Sequence, residues 1–485
     1  MMEPITRRRA LQLGALGLGS TLAGGAGLVW AGTAGFQPAG GVLLSEPAAM
    51  RSKNGQLQVR LEASEGTVRI AGKNATASSY NGSLPGPTLY LRPGDRLQVT
   101  LANKLNDPTN LHVHGLHVSP EGNGDNMFIA VDPGRSFDYA YQLPPDHPPG
   151  VYWYHPHHHG NVADQLFAGL YGAIIVEEPE PVPVTRERIL VISDISLDGN
   201  GRVRTVSVGE RMIGREGELI LVNGQAVPTL TARPGERERW RVINACASRY
   251  LQLRLDGQQL QLLGMDSGRF DTPRGVTEVL LAPGNRADLL VTTAQGTASL
   301  RALPVNRGSM MGMMAAAPST ATGSTALATL EVTGKKIAPL PPVPRQAVAR
   351  DLRGQPVTRR RTLTFAMGMG MGGGMGGGMA FTIDGKKFDA ARVDQTVETG
   401  SIEEWTIVNS SPMDHPFHLH VWPTQLVEDN GRDLSAPTWQ DVVNIPARGQ
   451  IKILTAFDDF SGRTVYHCHI LDHEDLGMMG VLEAI

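Results

Sequence analysis

"PTLYLRPGDRLQVTLANKL" occupies residues 87–105. Gly94 follows Arg92-Pro93, an acidic residue comes next, and an alternating apolar run ends on Asn103. Alternation with a period of two is the mark of a half-buried strand. The pattern returns as "PTLTARPGERERWRVINAC" at 228–246 and "DQTVETGSIEEWTIVNSSP" at 394–412. The glycines Gly94, Gly235 and Gly400 are spaced by 141 and 165 residues, and so are Asn103, Asn244 and Asn409. Equal offsets at both marks predict three copies of one β-domain.

The surrounding sequence agrees. "VYWYHPH", "YGAIIVEE" and "LQLRLDGQQLQLLGMD" read as short strands between turn residues. The 57 Gly and 33 Pro among 485 residues favour many turns over long helices. An all-β chain of sandwiches or barrels is expected. Pro-rich joints at 177–185 and 338–346 divide it into domains over 35–180, 181–340 and 341–485. The net charge of −3 gives no footprint for nucleic acid. A monomer is expected. The two cysteines, Cys246 and Cys468, do not make a disulfide framework. Cys246, in an alternating run, reads as a small buried apolar residue.

Residues 1–34 read as an export signal of the twin-arginine kind. Arg7, Arg8 and Arg9 precede an uncharged Gly/Ala-rich stretch, with cleavage expected after Ala34. The partner would be the twin-arginine export machinery. The destination would be the periplasm, the cell envelope or the outside. An uncleaved membrane anchor is the alternative.

Thirteen of the fourteen histidines fall in four clusters: "HVHGLH" (112–117), "WYHPHHHG" (153–160), "HPFHLHVW" (415–422) and "YHCHILDHEDLGMM" (466–479). Two clusters lie in the first repeat, two in the last and none in the middle. On a strand, residues two apart share a face. His112 and His114, His155 and His157, His418 and His420, and His467 and His469 are four such pairs. If the first and last domains face each other, eight imidazoles converge at a spacing suited to neighbouring metals. Cys468 has the opposite parity and needs a second site. His415, Cys468, His473 and Met478 make the two-His, one-Cys, weak-Met set of a blue-copper site. A single strand would then join the two sites through its backbone. A His-rich storage tract without turnover is the competing class.

These four clusters, in this order, resemble the four copper motifs of the three-domain multicopper oxidases. The resemblance implies three cupredoxin-like Greek-key β-barrel domains and four coppers per chain. It implies type 1 copper on His415, Cys468, His473 and Met478, and type 2 copper on His112 and His418. It implies type 3 coppers on His114, His155 and His469, and on His157, His420 and His467. Met479 neighbours Met478, but the spacing from Cys468 favours Met478. His117, His147, His158 and His159 have no expected ligand role. The implied reaction passes single electrons from a small reductant through Cys468 to the cluster, where dioxygen becomes water. Asp125, in "EGNGDN", and Glu474 resemble the family's acidic residues near the cluster. Asp125 also reads as a turn former.

For the reductant, the sequence offers Cu(I) or a phenolic or other organic donor. Met367, Met369, Met371, Met375 and Met379 lie in "MGMGMGGGMGGGM" (367–379), where cuprous oxidases of this family carry a Met-rich insertion. Thioethers select Cu(I). Glycine at this density predicts a loop rather than a strand. Met413 matches a substrate-copper methionine, with Ser411 where those enzymes have an acid and Asp414 nearby. A second Met-rich patch covers 309–314.

Overall fold

The computed structural model describes residues 36–308, 323–369 and 379–485. The export signal, the patch 309–314, Met371 and Met375 lie outside them.

Each repeat forms the same corner. A short strand (Thr88–Leu91, Thr229–Ala232, Gln395–Val397) enters the turn, and a longer one (Arg96–Asn103, Arg237–Asn244, Ser401–Asn409) leaves it in the opposite sheet. Gly94, Gly235 and Gly400 take φ of 85°, 84° and 83°, a left-handed turn that a side chain resists. The longer strand then pairs in parallel with an earlier one: Gln56–Ile70, Arg186–Ile195 or Arg359–Met369.

The repeat asparagines explain why each copy ends on that residue. All three are buried. Asn103 Nδ2 donates to the Asp107 and Val131 carbonyls, at 2.9 and 2.8 Å. Asn244 Nδ2 donates to Arg249 and Leu281, at 2.8 and 3.0 Å. Asn409 Nδ2 donates to Met413 and Ile445, at 2.7 and 3.2 Å. In each, Oδ1 accepts the backbone N–H two residues on, from Leu105, Cys246 or Ser411. A side chain thus satisfies carbonyls and an amide left unpaired where the strand stops.

Among the described residues the strands form six sheets, paired across three shared cores. From Thr88–Leu91 to Gly150–His155 successive strands of the first domain alternate between its two sheets, the crossover habit of a Greek key. Each pair encloses one apolar core, built around Tyr139 and Tyr152 in the first, Trp240 in the second and Trp405 in the third. A fourth cluster packs Trp153, Phe167 and Ile175 of the first domain against Ile189, Val191 and Ile243 of the second. Cys246 is fully buried and its thiol is pushed up by burial, as a packing residue should be.

The Met/Gly segment departs from the expected loop at both ends. Met367, Gly368 and Met369 continue the strand Arg359–Met369, and Met379 begins the strand Met379–Ile383, with Met369 opposite Met379. Buried Leu363, Phe365 and Phe381 anchor the hairpin in the third core. Packing there outweighs the ordering entropy of the glycine.

Candidate metal centre

Two strand pairs carry the site. In the first domain, His112–His114 pairs with Gly150–His155, placing His112 opposite His155. In the third, His415–Leu419 pairs with Gly462–Cys468, placing His418 opposite His467 and Phe417 opposite Cys468. His157, His420 and His469 lie just past the strand ends.

The two strand pairs meet ring on ring. His112 stacks on His420 at 3.9 Å and 19°, and His114 on His418 at 3.9 Å and 6°. His112 and His418 approach through their Nε2 atoms at 3.5 Å. His157 and His420 each present Nε2 to His467 Nε2 at 3.1 Å. His155 Nε2 lies 3.5 Å from His114 Nδ1. The His469 ring is 4.9 Å from His114 and 5.8 Å from His155.

The outward nitrogens explain the inward ones. His155, His418 and His467 donate Nδ1–H to the carbonyls of Pro156, Asp441 and Cys468. A carbonyl only accepts, so each inward Nε2 carries a lone pair. His114 is reversed: Nε2 is 3.0 Å from Asp441 Oδ1, leaving Nδ1 inward. His112 Nδ1 lies 3.0 Å from both Asp125 oxygens. Outer partners of this kind orient metal-binding imidazoles.

Across the strand, His415 Nδ1 is 3.3 Å from Cys468 Sγ and 3.3 Å from His473 Nδ1, and the sulfur is 3.9 Å from His473 Nδ1. His415 Nε2 is 2.8 Å from Ser411 Oγ, and His473 Nε2 donates to the Met212 carbonyl at 3.1 Å. Met478 is buried in the core that contains Cys468, and its carbonyl accepts the Cys468 N–H at 3.0 Å. Met479 faces a different cluster, with Met127 and Val465.

Burial, then the neighbouring imidazoles, holds His112, His157 and His420 well below the ordinary histidine value. Burial brings His155 and His415 to about 3. These rings are neutral, as metal binding requires. Burial also pushes the Cys468 thiol up, so its proton must leave when a metal binds. Both His469 nitrogens are buried without a hydrogen-bond partner. Crowded neutral imidazoles, an orphaned ring and a thiol among nitrogens fit bound soft and borderline metal ions.

Asp125 is fully buried, and burial pushes its carboxyl up to about 8. It accepts the Val113 N–H and lies 3.8 Å from His420 Nδ1. The structure therefore makes it a partner of two histidines rather than a plain turn residue. Glu474, also buried, lies 3.1 Å from His467 Nδ1 and 3.6 Å from His157 Nδ1. Of the remaining histidines, His117 bonds the Val421 carbonyl and Asp459, and His147 Nε2 accepts the His117 N–H. His159 packs on Phe388, 4.6 Å away. His158 is half-buried and enters none of these contacts.

Met413 is buried, with its carbonyl held by Asn409 and Ser411. Asp414 is engaged by Ala447 N–H and Asn444. Met367 and Met379 pack against the third core. Sequence reasoning missed Asp441, which meets both His114 and His418. No motif marks it, because its other partner is Arg286 in the histidine-free middle repeat.

Three sequence-family profiles described as multicopper oxidase match residues 62–181, 190–333 and 361–484. The solved structure of a multicopper oxidase from Campylobacter jejuni, described as a metallo-oxidase, superposes with a TM-score of 0.80. It is 30% identical and covers 92% of this chain and 96% of its own. The multicopper oxidase mco of Staphylococcus aureus is 27% identical over 446 residues, covering 89% of this chain and 90% of its own. The cell division protein FtsP of Proteus mirabilis is 26% identical over 459 residues, covering 90% and 91%. A protein of that description at a comparable likeness leaves activity to be argued from the side chains.

Proposed function

This chain belongs to the multicopper oxidase family, and we propose that it couples one-electron oxidation of a small reductant to reduction of dioxygen to water. The observation that carries this reading is the Cys468 strand. One residue places its sulfur 3.3 Å from His415, while the residue before it places an imidazole 3.1 Å from two cluster histidines.

In this reading His415, Cys468, His473 and Met478 hold type 1 copper. His112 and His418 hold type 2 copper. His114, His155 and His469, with His157, His420 and His467, hold the type 3 pair. Copper so held supplies one-electron acceptance at Cys468 and four-electron reduction of dioxygen at the cluster. The chain supplies a covalent path from Cys468 Sγ through its own backbone to the His467 and His469 rings. Ser411 and the Met212 carbonyl fix the outer nitrogens of the thiolate site. In the metal-free fold burial pushes the Asp125 carboxyl up to about 8, 3.0 Å from His112 Nδ1. Asp125 and Glu474 are the groups placed to hand protons inward, since four protons must accompany four electrons into two waters.

Cu(I) is the reductant this reading favours. Met367 and Met379 sit on paired strands packed on the core that holds Cys468. Phe381, two residues beyond Met379, stacks on His473 at 4.6 Å and 27°. Met369, Met371, Met375 and Met413 complete the proposed soft-donor set. The Campylobacter relative described as a metallo-oxidase supports the same direction. Oxidation of phenols or other organic donors is the second reading. A shallow cleft lined in part by Arg249, Tyr250, Leu303 and Arg307 supports it, because Tyr250 belongs to the same core as Cys468.

The test is oxygen uptake by the copper-loaded protein with Cu(I) and with a phenol, before and after deletion of 370–378. Loss of Cu(I) turnover alone supports the first reading. Unchanged Cu(I) turnover removes the Met segment from it. No uptake with any donor refutes the oxidase reading altogether.

A further inference from the structure

The middle domain carries none of the ligand histidines, yet it touches the cluster. Arg286 is fully buried and forks onto Asp441, with Nη1 at 2.5 Å from Oδ1 and Nη2 at 2.6 Å from Oδ2. Its Nε donates to the Val151 carbonyl at 2.9 Å, in the first-domain strand that ends at His155. One guanidinium thereby ties a third-domain carboxylate to a first-domain strand. Asp441 faces His114 Nε2 at 3.0 Å, and its carbonyl accepts His418 Nδ1–H at 2.7 Å.

Two residues earlier stands Gly284, at φ 88°. A Cβ there would lie 2.8 Å from His469 Cε1 and Nε2. His469 has no hydrogen bond on either nitrogen, so packing against this backbone sets its ring. The Gly284 carbonyl in turn accepts from Arg286 Nη1 at 3.3 Å.

We infer that Arg286 and Gly284 of the histidine-free middle domain are positioning residues that assemble the His114, His155 and His469 side of the cluster. Arg286 acts through Asp441, which leaves His114 Nδ1 facing inward. A planar fork suits this role, because an ammonium cannot hold both oxygens and a carbonyl in one plane. Gly284 leaves the space in which the unbonded ring lies. The inference rests on the copper reading above and extends it to residues that contact no metal themselves.

The test compares wild type with Arg286→Met, Arg286→Lys, Gly284→Ala and the exposed control Arg60→Met. Copper per chain is measured by atomic emission. Electron paramagnetic resonance separates the Cys468 site from the cluster. Arg286→Met and Gly284→Ala should hold cluster copper roughly 10–100-fold more weakly. The Cys468-site signal should persist, and Arg286→Lys should recover part of the loss. If Arg286→Met does not fold, Gly284→Ala decides, since it adds one methyl beside His469. Full cluster copper with a wild-type spectrum in the folded variants overturns the inference. A wild-type protein that takes up no copper instead overturns the reading beneath it.

Discussion

Lowering the pH should unfold the metal-free protein far more steeply than the copper-loaded one. Burial is the first cause holding ten buried histidines (112, 114, 147, 155, 157, 415, 418, 420, 469 and 473) below their ordinary value, besides the partly exposed His158 and His159. Each stays neutral in the fold but takes a proton once unfolded, below about pH 6.5. Its contribution is therefore intact above pH 6.5 and is lost as the pH falls. Three buried carboxyls oppose this: Asp125 and Asp475 are raised to about 8 and Asp266 to about 7, so the fold binds their protons first. Ten against three leaves about seven protons taken up on unfolding. At ~1.4 kcal/mol per proton per pH unit, the upper limit is about 10 kcal/mol per unit below pH 6. Local opening lets some rings ionise without global unfolding, and a working range is ~3–10 kcal/mol per unit. A chain of this size loses roughly 1 kcal/mol per degree near its midpoint. The apo melting temperature should thus fall by roughly 3–10 °C per pH unit between pH 6 and 5. Circular dichroism melts of apo and copper-loaded protein from pH 8 to 5 would read this. An apo midpoint that is flat across pH 6 to 5, or a loaded one that falls as fast, would refute the reasoning.

Other substitutions divide the site in different ways. Cys468→Ser should abolish the blue absorption and turnover while cluster copper, counted per chain, remains. Met478→Leu should shift the potential and spectrum of the blue site. Met479→Leu, whose side chain packs in the other cluster, should leave both unchanged. Asn244→Ala should destabilise the protein by roughly 2–4 kcal/mol, because two buried carbonyls lose their donor, without moving the blue band. Equilibrium denaturation and the visible spectrum check this pair of outcomes.

Much of this architecture was legible because it follows periodicities the chain must obey. Strand parity separated Cys468 from His467 and His469, and the paired strands place them on opposite faces. The repeat asparagine was legible as a position, and its meaning, a bracket for carbonyls at a strand end, came only with the partners. The Met/Gly segment misled at its ends because propensity is local, whereas Phe365 and Phe381 are held by a distant core. Asp441 and Arg286 were invisible for a related reason. A carboxylate and a guanidinium 155 residues apart leave no pattern along the chain. The functional meaning of the middle repeat lay in what it touches, not in what it contains.

The stacking of His112 on His420 and of His114 on His418 bears on when the centre can exist. Its ligands span residues 112 to 478. A growing chain has no complete centre to fill while the strand Gly462–Cys468 is still in the exit tunnel. Closure of contacts some three hundred residues apart, such as His112 with His418, is also among the slower steps a chain can make. Metal must meet a chain whose first and third domains are already packed together. If Arg7, Arg8 and Arg9 direct the chain to a folded-protein exporter, that order of events sets a choice of compartment: loading either precedes passage or waits for the far side. Comparing copper content in precursor trapped before export with that of the mature protein would distinguish the two.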